Sequence, residues 1–149
     1  MLDTFQPLVD AVHGVALDDP QAACAELTRR LDPAGPAGLA LADALKALLE
    51  EGKICDRGEA PVRYSRAAKA SLETSQLSVD TVLMCGPGPR HRHPTGEASF
   101  AIAIDGEPLF DGQAPGWVVL PPDSVHTPTV EGGTMLIVYL LPDGKMEFL

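Results

Sequence analysis

The apolar positions change rhythm about a third of the way along the chain. Over residues 1 to 52 they recur with the 3.6-residue period of helices that bury one face. Phe5, Leu8, Val9 and Val12 form one set, Ala23, Leu27 and Leu31 a second, and Leu41, Leu45, Leu48 and Leu49 a third. The punctuation agrees. Asp19-Pro20 offers an N-cap followed by proline at the first helical position, the Pro/Gly-rich stretch 32–38 reads as a turn, and Gly52 ends the third helix. From Val62 onward the pattern shortens to strand-like runs broken by Gly, Pro and Asp: 62–66, 77–85, 97–105, 117–120, 125–130 and 134–141, with Met146-Glu147-Phe148 closing the chain. Many short strands at regular spacing predict a β-sandwich or barrel. Residues 1–53 are therefore expected to form a three-helix cap packed on a β-barrel of residues 54–149, with 54–61 as the joint.

Composition narrows the class. A chain of 149 residues, 45% hydrophobic, is long enough for one domain with a real core. No apolar run approaches the roughly 20 residues that span a bilayer, so no membrane association is expected. The N-terminus lacks the basic and apolar regions of a signal peptide. Cys24, Cys55 and Cys85 are scattered, odd in number and without metal-type pairing, which points to reduced thiols in a cytoplasmic protein. A net charge of −10 excludes nucleic acid as a partner, since a duplex binder needs a concentrated basic face. Arg90 and Arg92 depart from that acidic trend.

Those two arginines interleave with the chain's most informative pair. His91 and His93 stand at i and i+2, so on a strand they project to one face. Pro94-Thr95-Gly96 turns the chain, and Glu97 begins the next strand; His126 ends another. Three imidazoles and a carboxylate form a donor set that a first-row divalent metal accepts. If Glu97 points inward, so do Ser99, Ala101 and Ala103, while Phe100, Ile102 and Ile104 point away. Small residues beside the metal leave a substrate-sized cavity, which Met84, Trp117, Tyr139 and Arg90 or Arg92 are expected to line. His13, in a helix, reads as a packing or surface residue. No Ser-His-Asp signature or phosphate loop competes with the metal.

The spacing His-x-His-x-x-x-Glu, followed at a distance by Pro-x-x-x-x-His, resembles the two-part signature of the cupin superfamily. The resemblance implies a mainly β, cupin-type β-barrel (a double-stranded β-helix) with His91, His93, Glu97 and His126 as ligands of one divalent transition metal. Where the second part usually has glycine this chain has Asp123, a residue type that tolerates positive φ. The blocks around 71–80, 88–97, Phe110-Asp111-Gly112…Pro115-Gly116-Trp117 and His126-Thr-Pro-Thr-Val130…Gly132-Gly133 resemble the 4-hydroxylaminobenzoate lyase family. That likeness implies conversion of 4-hydroxylaminobenzoate, a small aromatic acid, to 3,4-dihydroxybenzoate with loss of ammonia. Glu97 and His126 would then be catalytic as well as ligating, Arg90 or Arg92 would anchor the substrate carboxylate, and Trp117 or Tyr139 would stack on its ring. A metal-dependent dioxygenase and a non-catalytic binder of small acids are the alternatives. An acidic barrel with exposed strand edges is further expected to pair as a homodimer.

Overall fold

In the computed structural model, which describes residues 1–149, three helices precede nine strands. The helices are α1 (Leu2–Val12), α2 (Pro20–Arg30) and α3 (Pro36–Glu50). The Asp19 side chain caps α2 by accepting a bond from the Ala22 amide at 3.2 Å. The strands are β1 (Arg57–Glu59), β2 (Val62–Ala68), β3 (Leu77–Met84), β4 (His91–His93), β5 (Glu97–Phe110), β6 (Gly116–Leu120), β7 (Ser124–His126), β8 (Val130–Pro142) and β9 (Glu147–Phe148). They form a six-stranded sheet in the order β1-β2-β3-β8-β5-β6 and a three-stranded sheet in the order β7-β4-β9. All pairings are antiparallel. The small sheet lies against the inner face of the large one, because His91 and His93 on β4 meet Glu97 on β5. No ladder joins the two sheets, so backbone pairing does not close the barrel.

The central strands of the large sheet are buried on both faces, and in β8 this accounts for the unbroken apolar run from Met135 to Leu141. Leu136, Val138 and Leu140 face the helices and share a core with Phe5, Leu8, Leu27 and Leu45. The alternate residues Met135, Ile137, Tyr139 and Leu141 face the barrel interior with Ala101, Phe110 and Val118. On β5, Phe100 and Ile102 go to the helix side and Ala101 to the interior, as alternation from Glu97 requires. No helix is long and apolar enough to cross a membrane.

Three boundaries differ from the sequence reading. The 125–130 run splits at Thr127-Pro128-Thr129, where proline has no N–H to give a ladder, and β7 ends at His126 while β8 starts at Val130. The strands beginning at Glu97 and ending at Leu141 are longer than the apolar pattern suggests, because Asp105-Gly106 stays in the ladder, paired with Thr134 and Gly133 between two register shifts, rather than forming a turn. Only glycine fits there: a Cβ on Gly106 would lie 2.4 Å from the Gly132 carbonyl oxygen, and one on Gly133 would lie 2.1 Å from that of Asp105. The joint at 54–61 also contains β1, which pairs Arg57 with Tyr64 of β2.

Candidate metal centre

Strand alternation builds the site. On β4, His91 and His93 point inward and are 2% and 0% exposed. The intervening Arg92 points out, where it pairs with Glu147 at 2.6 Å and with Asp123. Gly96, at φ 86°, turns the chain so that Glu97 enters the interior, fully buried. β7 runs antiparallel to β4 in a register that sets His126 opposite His91. Asp123 does adopt positive φ, 64°, so the turn before β7 forms without glycine.

The four side chains converge. The Nε2 atoms lie 2.8 Å apart for His91 and His93, 2.8 Å for His91 and His126, and 3.0 Å for His93 and His126. Glu97 Oε2 is 2.7 Å from His93 Nε2 and 3.7 Å from His126 Nε2, and it has no hydrogen-bond partner of its own. An imidazole Nε2 is either a donor or an acceptor, never both at once. Three mutual contacts among three such nitrogens therefore cannot all be hydrogen bonds, and at least one pair must face like to like. A cation at their centre removes the conflict. Two nitrogens each about 2.1 Å from a metal sit about 3.0 Å apart at a right angle and roughly 3.4 Å apart at a tetrahedral one. The observed spacings are close to this range, so the donor set fits a divalent metal ion.

Residues around the donors orient them. Asp111 Oδ2 accepts from His126 Nδ1 at 2.7 Å, and its Oδ1 accepts from the Thr129 amide at 2.8 Å. This fixes the tautomer that turns the Nε2 lone pair of His126 toward the centre. Ser99 Oγ donates to Glu97 Oε1, leaving Oε2 for the centre. Ser99, expected only to make room, thus positions the carboxylate. Asp111 was not singled out, because its link to His126 crosses from the end of β5 to β7; its place in the Phe110-Asp111-Gly112 block was the available signal. Asp111→Asn keeps a residue that tolerates the local φ of 49° but removes the charge. It is expected to lower metal affinity about 10- to 100-fold, measured by competition with a chelator; unchanged affinity would show that His126 needs no anionic partner.

Burial, reinforced by the neighbouring imidazoles of His93 and His126 and opposed by Glu97, pushes His91 down to about 4. In the unfolded chain His91 would take up its proton near its ordinary value of about 6.5. Between these values the unfolded state binds more protons, so the metal-free fold loses stability as pH falls through this window. Denaturant unfolding of chelator-treated protein should give a lower midpoint near pH 5 than near pH 7, and His91→Ala should shrink the difference.

His91 borders a cavity of about 630 Å³. Tyr139 and Met84 line it, joined by Arg57, Arg66 and Phe148. The other expected lining residues lie elsewhere. Arg90 is exposed and outside the cavity, and Arg92 is engaged on the outer face. Trp117 sits in the helix-side core against Phe100, with Nε1 donating to the Leu31 carbonyl at 2.9 Å. Its pairing with Phe100 puts it on the face turned away from Glu97. Arg66 is tied to Asp80 at 2.7 Å. Arg57, from the stretch read as a joint, lines the cavity without an ion pair.

A 4-hydroxylaminobenzoate lyase of Pseudomonas putida is 28% identical to this chain over 102 residues, 58% of each chain. A second protein of that name, from a Nocardioides species (strain LMS-CY), is 29% identical over 94 residues, 58% of this chain and 56% of its own. The chain thus spans a little over half the length of these relatives. Among solved structures, an RmlC-like cupin protein from Ralstonia eutropha JMP134 gives a TM-score of 0.46 at 15% identity over 61% of each chain. An oxalate oxidase in complex with glycolate gives 0.42 at 16% identity, over 62% of this chain and 57% of that one. Likeness at that level adds nothing to the assignment. The sequence model of one family covers residues 3–148, nearly the whole chain, and by that match the protein belongs to the 4-hydroxylaminobenzoate lyase family.

Proposed function

We propose that the protein is a metal-dependent lyase that converts 4-hydroxylaminobenzoate to 3,4-dihydroxybenzoate and ammonia. The observation that carries this reading is the convergence of three imidazoles and one carboxylate on the wall of a cavity, in a chain of this family. His91, His93, Glu97 and His126 would hold one divalent metal. A bound metal would supply Lewis-acid polarisation of a substrate oxygen. The net reaction consumes one water and releases one ammonia. It needs no external oxidant, because the N–O bond that breaks accepts the two electrons given up as a ring C–H becomes C–O.

The chain's own residues would bind and orient the substrate. Arg57 is the cavity's free guanidinium and takes over the carboxylate-anchoring role expected of Arg90 or Arg92. A charge-assisted pair of this kind holds one end of an aromatic acid and leaves the other to the metal centre. Arg57→Ala is expected to raise KM about 10- to 100-fold with little change in kcat. An unchanged KM would remove the anchor.

The function is tested by anaerobic incubation of metal-loaded protein with 4-hydroxylaminobenzoate. Ammonia and 3,4-dihydroxybenzoate in equal amounts support the lyase. No turnover by protein of verified metal content would sink this substrate, and turnover only with oxygen would favour a dioxygenase instead.

A further inference from the structure

Tyr139 is anomalous within the barrel interior. It is 3% exposed, and its hydroxyl has no protein hydrogen-bond partner. Buried hydroxyls normally find one, and phenylalanine would fill the same space without leaving a donor unmet. The nearby carboxylates are all engaged. Asp80 accepts from Arg66 and Ser78, Asp111 from His126 and Thr129, and Glu97 Oε1 from Ser99, with Oε2 turned to the histidines. The Tyr139 ring stacks on Phe110, centroids 6.3 Å apart and planes at 17°. Tyr139 lines the cavity, and the hydroxyl is its one polar side-chain atom.

The strand register sets Tyr139 beside the carboxylate of the metal centre. Tyr139 on β8 pairs with Ser99 on β5, two residues from Glu97 on the same face, which makes Tyr139 and Glu97 diagonal neighbours within reach of a long side chain. We propose that Tyr139 Oη is a substrate-recognition donor, giving a hydrogen bond to the oxygen carried by the nitrogen of the aromatic substrate. This assignment rests on the function proposed above and adds how the site tells an N-oxygenated ring from a plain amine. Burial and the surrounding carboxylates Glu97, Asp111 and Asp80 push the phenol well above its ordinary range, so it stays a neutral donor. A site that holds an unmet buried donor discriminates against a ligand lacking the acceptor.

Tyr139→Phe keeps the ring and its stacking on Phe110. Binding of two unreactive probes to metal-loaded wild type and variant provides the test: 4-nitrobenzoate, which has oxygen on nitrogen, and 4-aminobenzoate, which has none. The expected result is about a tenfold loss of affinity for 4-nitrobenzoate, unchanged affinity for 4-aminobenzoate, full metal content and an unfolding midpoint no lower than wild type. Equal weakening of both probes, or a lower midpoint, would make Tyr139 a packing residue and overturn the assignment. Unchanged affinity for both would overturn it as well, and in either case the aromatic-acid reading would survive because wild type binds the probes. If wild type bound neither probe, that reading would fall and take this one with it.

Discussion

Replacing His93 with alanine is expected to abolish metal binding and turnover together. His93 is the hub of the cluster, with Nε2 within 3.0 Å of the Nε2 atoms of both His91 and His126 and 2.7 Å from Glu97 Oε2. Its loss should reduce affinity by more than the roughly 100-fold that removal of an outer partner such as Asp111 can cost. Metal content measured after dialysis should fall from about one ion per wild-type chain to a small fraction of one. A second readout is thermal. A ligand present at about 1,000 times its Kd stabilises the fold by about 4 kcal/mol, so added metal should raise the wild-type midpoint and leave that of His93→Ala unmoved. Retention of one tightly held ion by the variant would mean that the four side chains are not the centre.

The second large effect lies on the other face of the sheet. Trp117→Ala is expected to destabilise the fold by about 3–5 kcal/mol, because it empties the space against Phe100 and leaves the Leu31 carbonyl without its donor. Denaturant midpoints measure this directly. The diagnostic outcome is what stays constant: at a temperature where the variant is folded, its metal affinity and its KM should match wild type. A large change in KM without loss of stability would return Trp117 to the cavity.

Those two residues also mark what the sequence made legible. The centre could be read because alternation is local: His91 and His93 share a face by virtue of two-residue spacing, and Glu97 carries Ser99 and Ala101 with it. Asp123 could be accepted in place of glycine on its own backbone preference. Trp117 could not be placed in this way. Alternation fixes faces within a strand, but which face of β6 continues which face of β5 depends on pairing Trp117 with Phe100, a long-range fact. Asp111 and Arg57 were hidden for the same reason, since each meets the site across strands distant in sequence. The ladder of β5 and β8 looked shorter because Asp105-Gly106 and Gly132-Gly133 are turn-like residues that stay within the strands, where register shifts flank the Gly106–Gly133 pair.

The two-sided burial of β8 constrains how this protein can change by descent. Adjacent residues of that strand belong to different cores, one beneath the helices and one around the cavity. Deleting a single residue there would exchange the two sets, sending Tyr139 toward the helices and a leucine toward the centre. Inheritable variation in β8 is therefore confined to substitution, while gains and losses of length must accumulate in the outer connections.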